Sequence, residues 1–287
     1  MTSPRDLDAI PEPGSFAEDD AWEPVKLDHT VPSIARAYDY LLGGKDNFDV
    51  DRQVADFLEK SVFPEIRWLS RANRDFLGRA VDTVARAGVD QFLDLGSGLP
   101  TAENTHQIAQ RVHPGAAVVY VDNDPSVLAH GRALLADNER TAVLSADLTD
   151  VDAVLGDPET RRLIDLGRPV CVMIVSLLHC IPDDKDPFGV MRRYLDRVPS
   201  GSHLVFSHIV SDDPARAAEV TEKVLGFGGE WGRVRSPEEA ERIADGLELI
   251  EPGVVEASTW RTALDPRRRP ADPSIGLWEH AGVAVKP

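Results

Sequence analysis

The chain has 287 residues, 42% of them hydrophobic, enough for one sizeable α/β core with a smaller attached unit. Against 31 basic side chains stand 49 acidic ones, and the net charge of −18 repels phosphate backbones and disfavours a nucleic-acid partner. No apolar run approaches the ~20 residues that span a bilayer, and the start lacks the basic-then-apolar order of a secretory signal, so a cytoplasmic protein with no membrane partner is expected.

Residues 1–25 carry Asp6, Asp8, Glu12, Glu18, Asp19, Asp20 and Glu23 among several prolines and read as an acidic, disordered tail. Residues 26–88 read as a helical cap. Ile34, Ala35, Tyr38, Leu41 and Leu42 recur at spacings of three and four, and the pattern stops at Gly43-Gly44. Val54, Phe57 and Leu58 suggest a second short helix. Phe76, Leu77, Ala80, Val81, Val84 and Ala85 mark a third, ended by Gly88.

Residues 89–287 alternate strand, turn and helix, which argues for a doubly wound α/β core. Phe92 to Leu95 is a strand, Thr101 can cap the helix that follows, and Ala116 to Val121 is the next strand before a helix over Val127 to Leu135. Thr141 to Ser145, Val170 to Val175 and Leu204 to Ile209 continue the series, the last two as apolar runs suited to burial on both faces of a parallel sheet. A helix over Ala215 to Leu225 follows, Ser236-Pro237-Glu238-Glu239 opens another, and Leu247 to Val255 pairs with Trp278 to Val285. Cys171 and Cys180 read as reduced, buried thiols, and no histidine or cysteine spacing suits a metal. Arg267-Arg268-Arg269 reads as a solvated loop.

Gly96-Ser97-Gly98, after a strand and before a helix, is a nucleotide-binding turn, weak as a signal when taken alone. Asp94 sits just before it. A pyrophosphate would be repelled there, whereas S-adenosylmethionine brings an ammonium and a sulfonium that favour an anion. The bland alternative is a carboxylate that caps local amides. Asp122 closes the next strand, near the ~20-residue spacing at which a carboxylate grips ribose hydroxyls. Asp147 follows the third strand and can meet an adenine amino group. Three carboxylates at successive strand ends would line the crevice where such sheets bind ligands.

Phe92-Leu93-Asp94-Leu95-Gly96-Ser97-Gly98, Val121-Asp122-Asn123-Asp124 and Ala146-Asp147-Leu148 resemble the cofactor motifs of class I methyltransferases. More narrowly, the run from Ile34 through Tyr38-Asp39-Tyr40-Leu41-Leu42-Gly43-Gly44-Lys45 to Phe48, together with Gly96 to Thr101, resembles an actinobacterial family of S-adenosyl methyltransferases. The likeness extends from about His29 to the C-terminus. It implies a Rossmann-like, seven-stranded, mostly parallel sheet with helices on both faces, and it names no acceptor. It also implies that Gly96, Ser97 and Gly98 approach the methionine part of the cofactor, with Asp94 at its amino end. Asp122 would take the ribose, and Asp147 with the Leu148 amide the adenine, Asn123 lying at the base edge. Ser176 completes that set, and the N-terminal helices would bring Tyr38, Tyr40 and Lys45 near the pocket. Tyr38 is equally read as core packing, and Lys45 and Asn47 as a polar turn.

His179, just past the fourth strand, is a candidate general base or a packed wall residue, with Asp183 and Asp184 placed to orient it. No Asn-Pro-Pro-Tyr-like motif stands there, which argues against a nucleic-acid amine as acceptor. The expectation is an S-adenosylmethionine-dependent methyltransferase acting on a small molecule. A non-catalytic binder of the cofactor or its product is the rival, and an NAD-dependent oxidoreductase is disfavoured by Asp94 and Thr101.

Overall fold

The computed structural model describes residues 27–100, 103–135, 138–228, 231–262 and 273–287. The acidic tail, Thr101 and the three consecutive arginines lie outside these.

Three helices precede the sheet: α1 (Ile34–Leu42), α2 (Asp49–Ser61) and α3 (Ile66–Arg86). Ser33 caps α1 by accepting from the Arg36 amide, and Gly43 ends it in the left-handed region at φ 89°. The turn that follows is built around Asp39, whose carboxylate accepts from the Asp46 amide at 2.9 Å and from Asn47 Nδ2 at 2.8 Å. A Cβ on Gly44 would lie 1.9 Å from Asp39 Oδ1, so no other residue fits there without moving that carboxylate. Arg36 and Asp51, both buried, join α1 to α2 through a 2.8 Å ion pair, and Asp51 also accepts from the Ser33 and Phe48 amides. Both charges are thus paired and hydrogen-bonded, which burial demands.

The core then runs β1 (Gln91–Leu95), α4 (Thr105–Val112), β2 (Ala117–Asp122), α5 (Pro125–Leu135) and β3 (Thr141–Ser145). α6 (Val151–Gly156) and α7 (Pro158–Leu163) lead to β4 (Cys171–Val175), and α8 (Pro187–Asp196) leads to β5 (His203–Val210). After α9 (Pro214–Leu225) and α10 (Pro237–Glu241) come β6 (Glu248–Leu249), β7 (Val255–Glu256) and β8 (Trp278–Val285). The sheet order is β3-β2-β1-β4-β5-β8-β6, with β7 also on β8. The first five strands are parallel, and β8 is antiparallel to each of its neighbours.

The Rossmann-like architecture is as expected, with one difference in strand count. The run from Leu247 to Val255 forms two short strands, β6 and β7, because a turn closed by the Gly253 amide on the Ile250 carbonyl interrupts it. The helix after the glycine turn also starts later than expected. It begins at Thr105, with Gln107 reaching back to the Asn104 amide at 2.8 Å.

Alternate residues of the parallel strands face two cores. Leu93, Leu95, Val119, Val121, Val172, Ile174, Leu204 and Phe206 pack beneath α6, α7 and α8. Phe92, Val118, Met173, Val205 and Val283 pack beneath α3 and α4. Phe76, Ala80, Val81, Val84 and Ala85 of α3 are fully buried there, and each large side chain so placed stabilises the fold by roughly 1.5–3 kcal/mol. Arg79 fastens the same helix to the chain before β8 by donating to the Trp260 and Ala257 carbonyls. Both cysteines are buried and unbridged. Among the described residues no helix is long and apolar enough to cross a membrane, and no histidine, cysteine or carboxylate group suits a metal ion.

Strand order reverses between β1 and β4, which opens a crevice at the carboxyl ends of these strands. The candidate residues gather there.

Candidate functional site

At the end of β1 the chain turns through Gly96 (φ 69°) and Gly98 (φ 66°). A Cβ on Gly96 would sit 1.8 Å from Leu177 Cδ2, so the loop after β4 seats directly on the glycine turn. The Gly96 and Ser97 amides donate to the Val121 carbonyl. The Gly98 amide donates to Asp122 Oδ2 at 2.8 Å, and Asp122 Oδ1 accepts from the Asp124 amide at 2.9 Å. Burial pushes the Asp122 carboxyl up to about 6, with the nearby Asp124 and Asp94 charges adding to the rise and the two amides opposing it. Two bonds leave lone pairs on this carboxylate for further donors.

Asp94 is buried and accepts from Thr105 Oγ1 at 2.7 Å, and burial raises its carboxyl above the usual range. It lines a cleft with Ser97, Gly98, Asn104, Tyr120 and Arg74. Arg74, on α3, was not singled out in the sequence. Its Nη2 donates to the Glu103 carbonyl at 3.0 Å, while its buried Nε has no hydrogen-bond partner among the described residues. Nothing in the local pattern marks this arginine, since α3 carries several and only the packing of α3 on α4 selects one.

Asn123 and Asp147 are exposed at the ends of β2 and β3. Asp147 accepts from the Thr149 amide and hydroxyl, each at 2.8 Å, and Lys185 lies 3.9 Å away. The Leu148 carbonyl takes the Tyr194 hydroxyl. The N-terminal helices reach the same edge, where the Ser33 hydroxyl donates to Asp124 and His130 lies 3.4 Å from Asp46. Lys45 is exposed on the α1–α2 turn. The Tyr38 hydroxyl donates to the Ser70 carbonyl and accepts from Asn73 Nδ2, both at 3.0 Å, and burial lifts its phenol to about 12. Tyr40 instead bonds Asp56 on α2.

Past β4, Ser176 adopts the left-handed conformation at φ 55°, and its hydroxyl donates to Glu279 Oε1. His179 is 2% exposed. Its Nδ1 accepts from the Ile209 amide at 3.1 Å, and its ring lies edge-on to Trp231 at 5.2 Å. The neutral ring therefore carries its proton on Nε2 and has no free acceptor nitrogen. Burial, aided by Arg235, holds its pKa down to about 3. This geometry suits a wall residue and withdraws the general-base role. Asp183 does not orient the ring either, because it bonds Arg233 and Arg235.

A family model described as S-adenosyl methyltransferase matches residues 20–287. The chain belongs to this family. Two solved structures resemble this methyltransferase throughout. One, from Thermobifida fusca YX and provisionally classed as a methyltransferase, is 44% identical with a TM-score of 0.83, over 93% of this chain and 99% of that one. The other, a duf574 family protein from Streptomyces avermitilis MA-4680, is 38% identical with a TM-score of 0.80, over 90% and 98%. Among curated proteins none matches the chain.

S-adenosylmethionine is the methyl donor of the family, and the residues present fit it. Its amino-acid end is a zwitterion, and the cleft offers Asp94 and the unpartnered Arg74 Nε together beside the glycine turn. Its ribose offers two hydroxyl donors, and Asp122 keeps lone pairs for them.

Proposed function

We propose that this methyltransferase acts on a small-molecule acceptor in the cytoplasm, binding its methyl donor across the carboxyl ends of β1, β2 and β3. The pairing of Arg74 and Asp94 in one cleft next to Gly98 carries this reading. In it, Arg74 holds the donor's carboxylate, Asp94 its ammonium and Asp122 its ribose. Asp147, the Leu148 amide and Asn123 lie at the adenine. Ser176 and Leu177 wall the methionine side, and α1 and α2 roof the site with Tyr38 facing in and Lys45 at the rim.

When bound, the donor supplies a methyl carbon already activated by its sulfonium leaving group. The protein's own work is then alignment and exclusion of water, which can contribute up to about 7–11 kcal/mol in favourable cases. The glycine turn, wedged between Val121 and Leu177, fixes one partner rigidly, and the loop from Ser176 to His179 forms the wall facing the acceptor. An acidic net charge favours a cationic donor over its neutral thioether product, which helps turnover.

Calorimetry tests the reading. S-adenosylmethionine and S-adenosylhomocysteine should bind in the micromolar range or tighter, and NAD should not bind. Charge-assisted bonds of roughly 1.5–3 kcal/mol make Asp122→Asn and Arg74→Leu each weaken the donor about tenfold or more. NAD binding with no response to either sulfur compound would overturn it.

A further inference from the structure

We propose that Glu279 receives the proton of the methyl acceptor, and that the acceptor is therefore an amine or hydroxyl compound presenting an N–H or O–H to a buried carboxylate. The inference rests on the cofactor reading above, and it concerns a residue outside the cofactor motifs.

Five segments place one polar side chain each in a single cluster, with Asn73 on α3, Ser207 on β5 and Glu279 on β8 buried and Tyr38 on α1 and Ser176 after β4 half-buried. Their protons can be followed one by one. Tyr38 gives its proton to the Ser70 carbonyl and takes one from Asn73 Nδ2. Asn73 Oδ1 accepts the Ser207 hydroxyl at 2.6 Å. Ser207 Oγ accepts from the Ser176 amide at 3.0 Å, and the Ser176 hydroxyl donates to Glu279 Oε1. The Ser207 hydroxyl also lies close enough to lower the Glu279 carboxyl's pKa, but its proton is given to Asn73, so no hydrogen bond of this series ends on Glu279 Oε2. That oxygen is buried, on a residue 1% exposed, and has no hydrogen-bond partner among the described residues.

A buried carboxyl oxygen without a donor is costly, and packing gives no reason for it. The cross-strand partner of Glu279 is Ile209, and the next pair toward the core is Ser207 with Ala281. Ser176 is held at φ 55°, a conformation uncommon for a side-chain-bearing residue, which directs its hydroxyl to Oε1 and leaves Oε2 as the open position.

The cluster borders the transfer site. Leu177, next to Ser176, packs on Gly96 of the turn that reads as holding the methionine part. Burial raises the Glu279 carboxyl to about 7, with the Ser176 and Ser207 hydroxyls opposing, which matches a base to neutral conditions. In the step, the acceptor's nitrogen or oxygen bonds to the methyl carbon as the carbon–sulfur bond breaks. The electron pair of that bond goes to sulfur, and the acceptor's proton passes to Oε2. A carboxylate acceptor has no proton to give and would meet like charge. On this proposal Tyr38, half-buried at the edge of the cluster, moves aside to admit the acceptor.

The test uses the full chain saturated with S-adenosylhomocysteine and three probes of one size: benzylamine, benzyl alcohol and benzoate. Calorimetry should show that benzylamine or benzyl alcohol binds and benzoate does not. Glu279→Gln should weaken the bound probe about tenfold or more and leave S-adenosylhomocysteine affinity unchanged. Benzoate binding as tightly as the others, no binding of any probe, or wild-type probe affinity in the variant would overturn the proposal. If Glu279→Gln also loses S-adenosylhomocysteine, Glu279→Asp decides. Retained cofactor affinity with weakened probe binding supports the role, and loss of both assigns Glu279 to structure. A wild-type protein that binds no S-adenosylhomocysteine refutes the cofactor reading instead.

Discussion

Glu279 also shapes how stability responds to pH. Its carboxyl ordinarily titrates near 4.5 and is raised by burial to about 7, so its protonated form is the one the fold prefers. Stability from this group is complete below about pH 4.5 and is lost as pH rises through about 7. At 1.36 kcal/mol per pH unit the full loss amounts to about 3 kcal/mol. Glutamine keeps an acceptor for Ser176 and never ionises. Glu279→Gln should therefore melt near the wild-type temperature at about pH 4.5 and increasingly above it as pH rises to about 8. A difference between the two proteins that stays constant with pH would mean that the carboxyl ionises without penalty. His179 illustrates the limits of reading single residues. Its place after β4 was legible, but its burial was not, because Trp231 and Gly232 come from a distant loop. A Cβ on Gly232 would lie 2.7 Å from the His179 carbonyl oxygen, a closeness no local pattern encodes.

Among the elements, the α1–α2 turn explains a motif that the sequence alone left between function and structure. Asp39, Gly43, Gly44 and Asn47 build the turn itself, while Tyr38 on the same helix points into the buried cluster and Lys45 faces solvent. Gly44→Ala should push Asp39 from its place and loosen residues 39–48 by about 1–3 kcal/mol. Hydrogen exchange should accelerate in that segment and stay unchanged in β1 to β5. Equal protection throughout would show that the turn tolerates a methyl group. The parallel strands were legible because both of their faces are buried, so each is mostly apolar, and β4 wholly so. The short helices α6, α7 and α8 were not assigned individually, as two of them span only six residues and show little periodicity. The starts of α7 and α8 were nonetheless written in Asp157-Pro158 and Asp186-Pro187, where aspartate caps the helix and proline occupies its first turn. The single strand expected before β8 became two because a turn within the run cannot be told from an apolar stretch.

For the whole molecule, the charge of −18 acts at long range. S-adenosylmethionine carries a net positive charge and its thioether product none, so the field favours one over the other. The Debye length shrinks from about 30 Å at 0.01 M salt to about 8 Å at 0.15 M. Raising salt over that interval should weaken S-adenosylmethionine binding more than that of the product, measured by calorimetry on both. Equal weakening would mean that only short-range contacts discriminate. One further constraint lies in α3. Asn73 belongs to the buried cluster and Arg74 to the neighbouring cleft, while Phe76 to Ala85 of the same helix lock it against the sheet. Each residue of an α-helix advances the side chains by about 100°. Inserting or deleting one position between Arg74 and Phe76 would turn the stretch from Ile66 to Arg74, swinging Ser70, Asn73 and Arg74 away from both places at once while the locked half stayed put. Substitutions along this stretch alter one contact each, but its register on the locked half is a single indivisible quantity on which both sites depend.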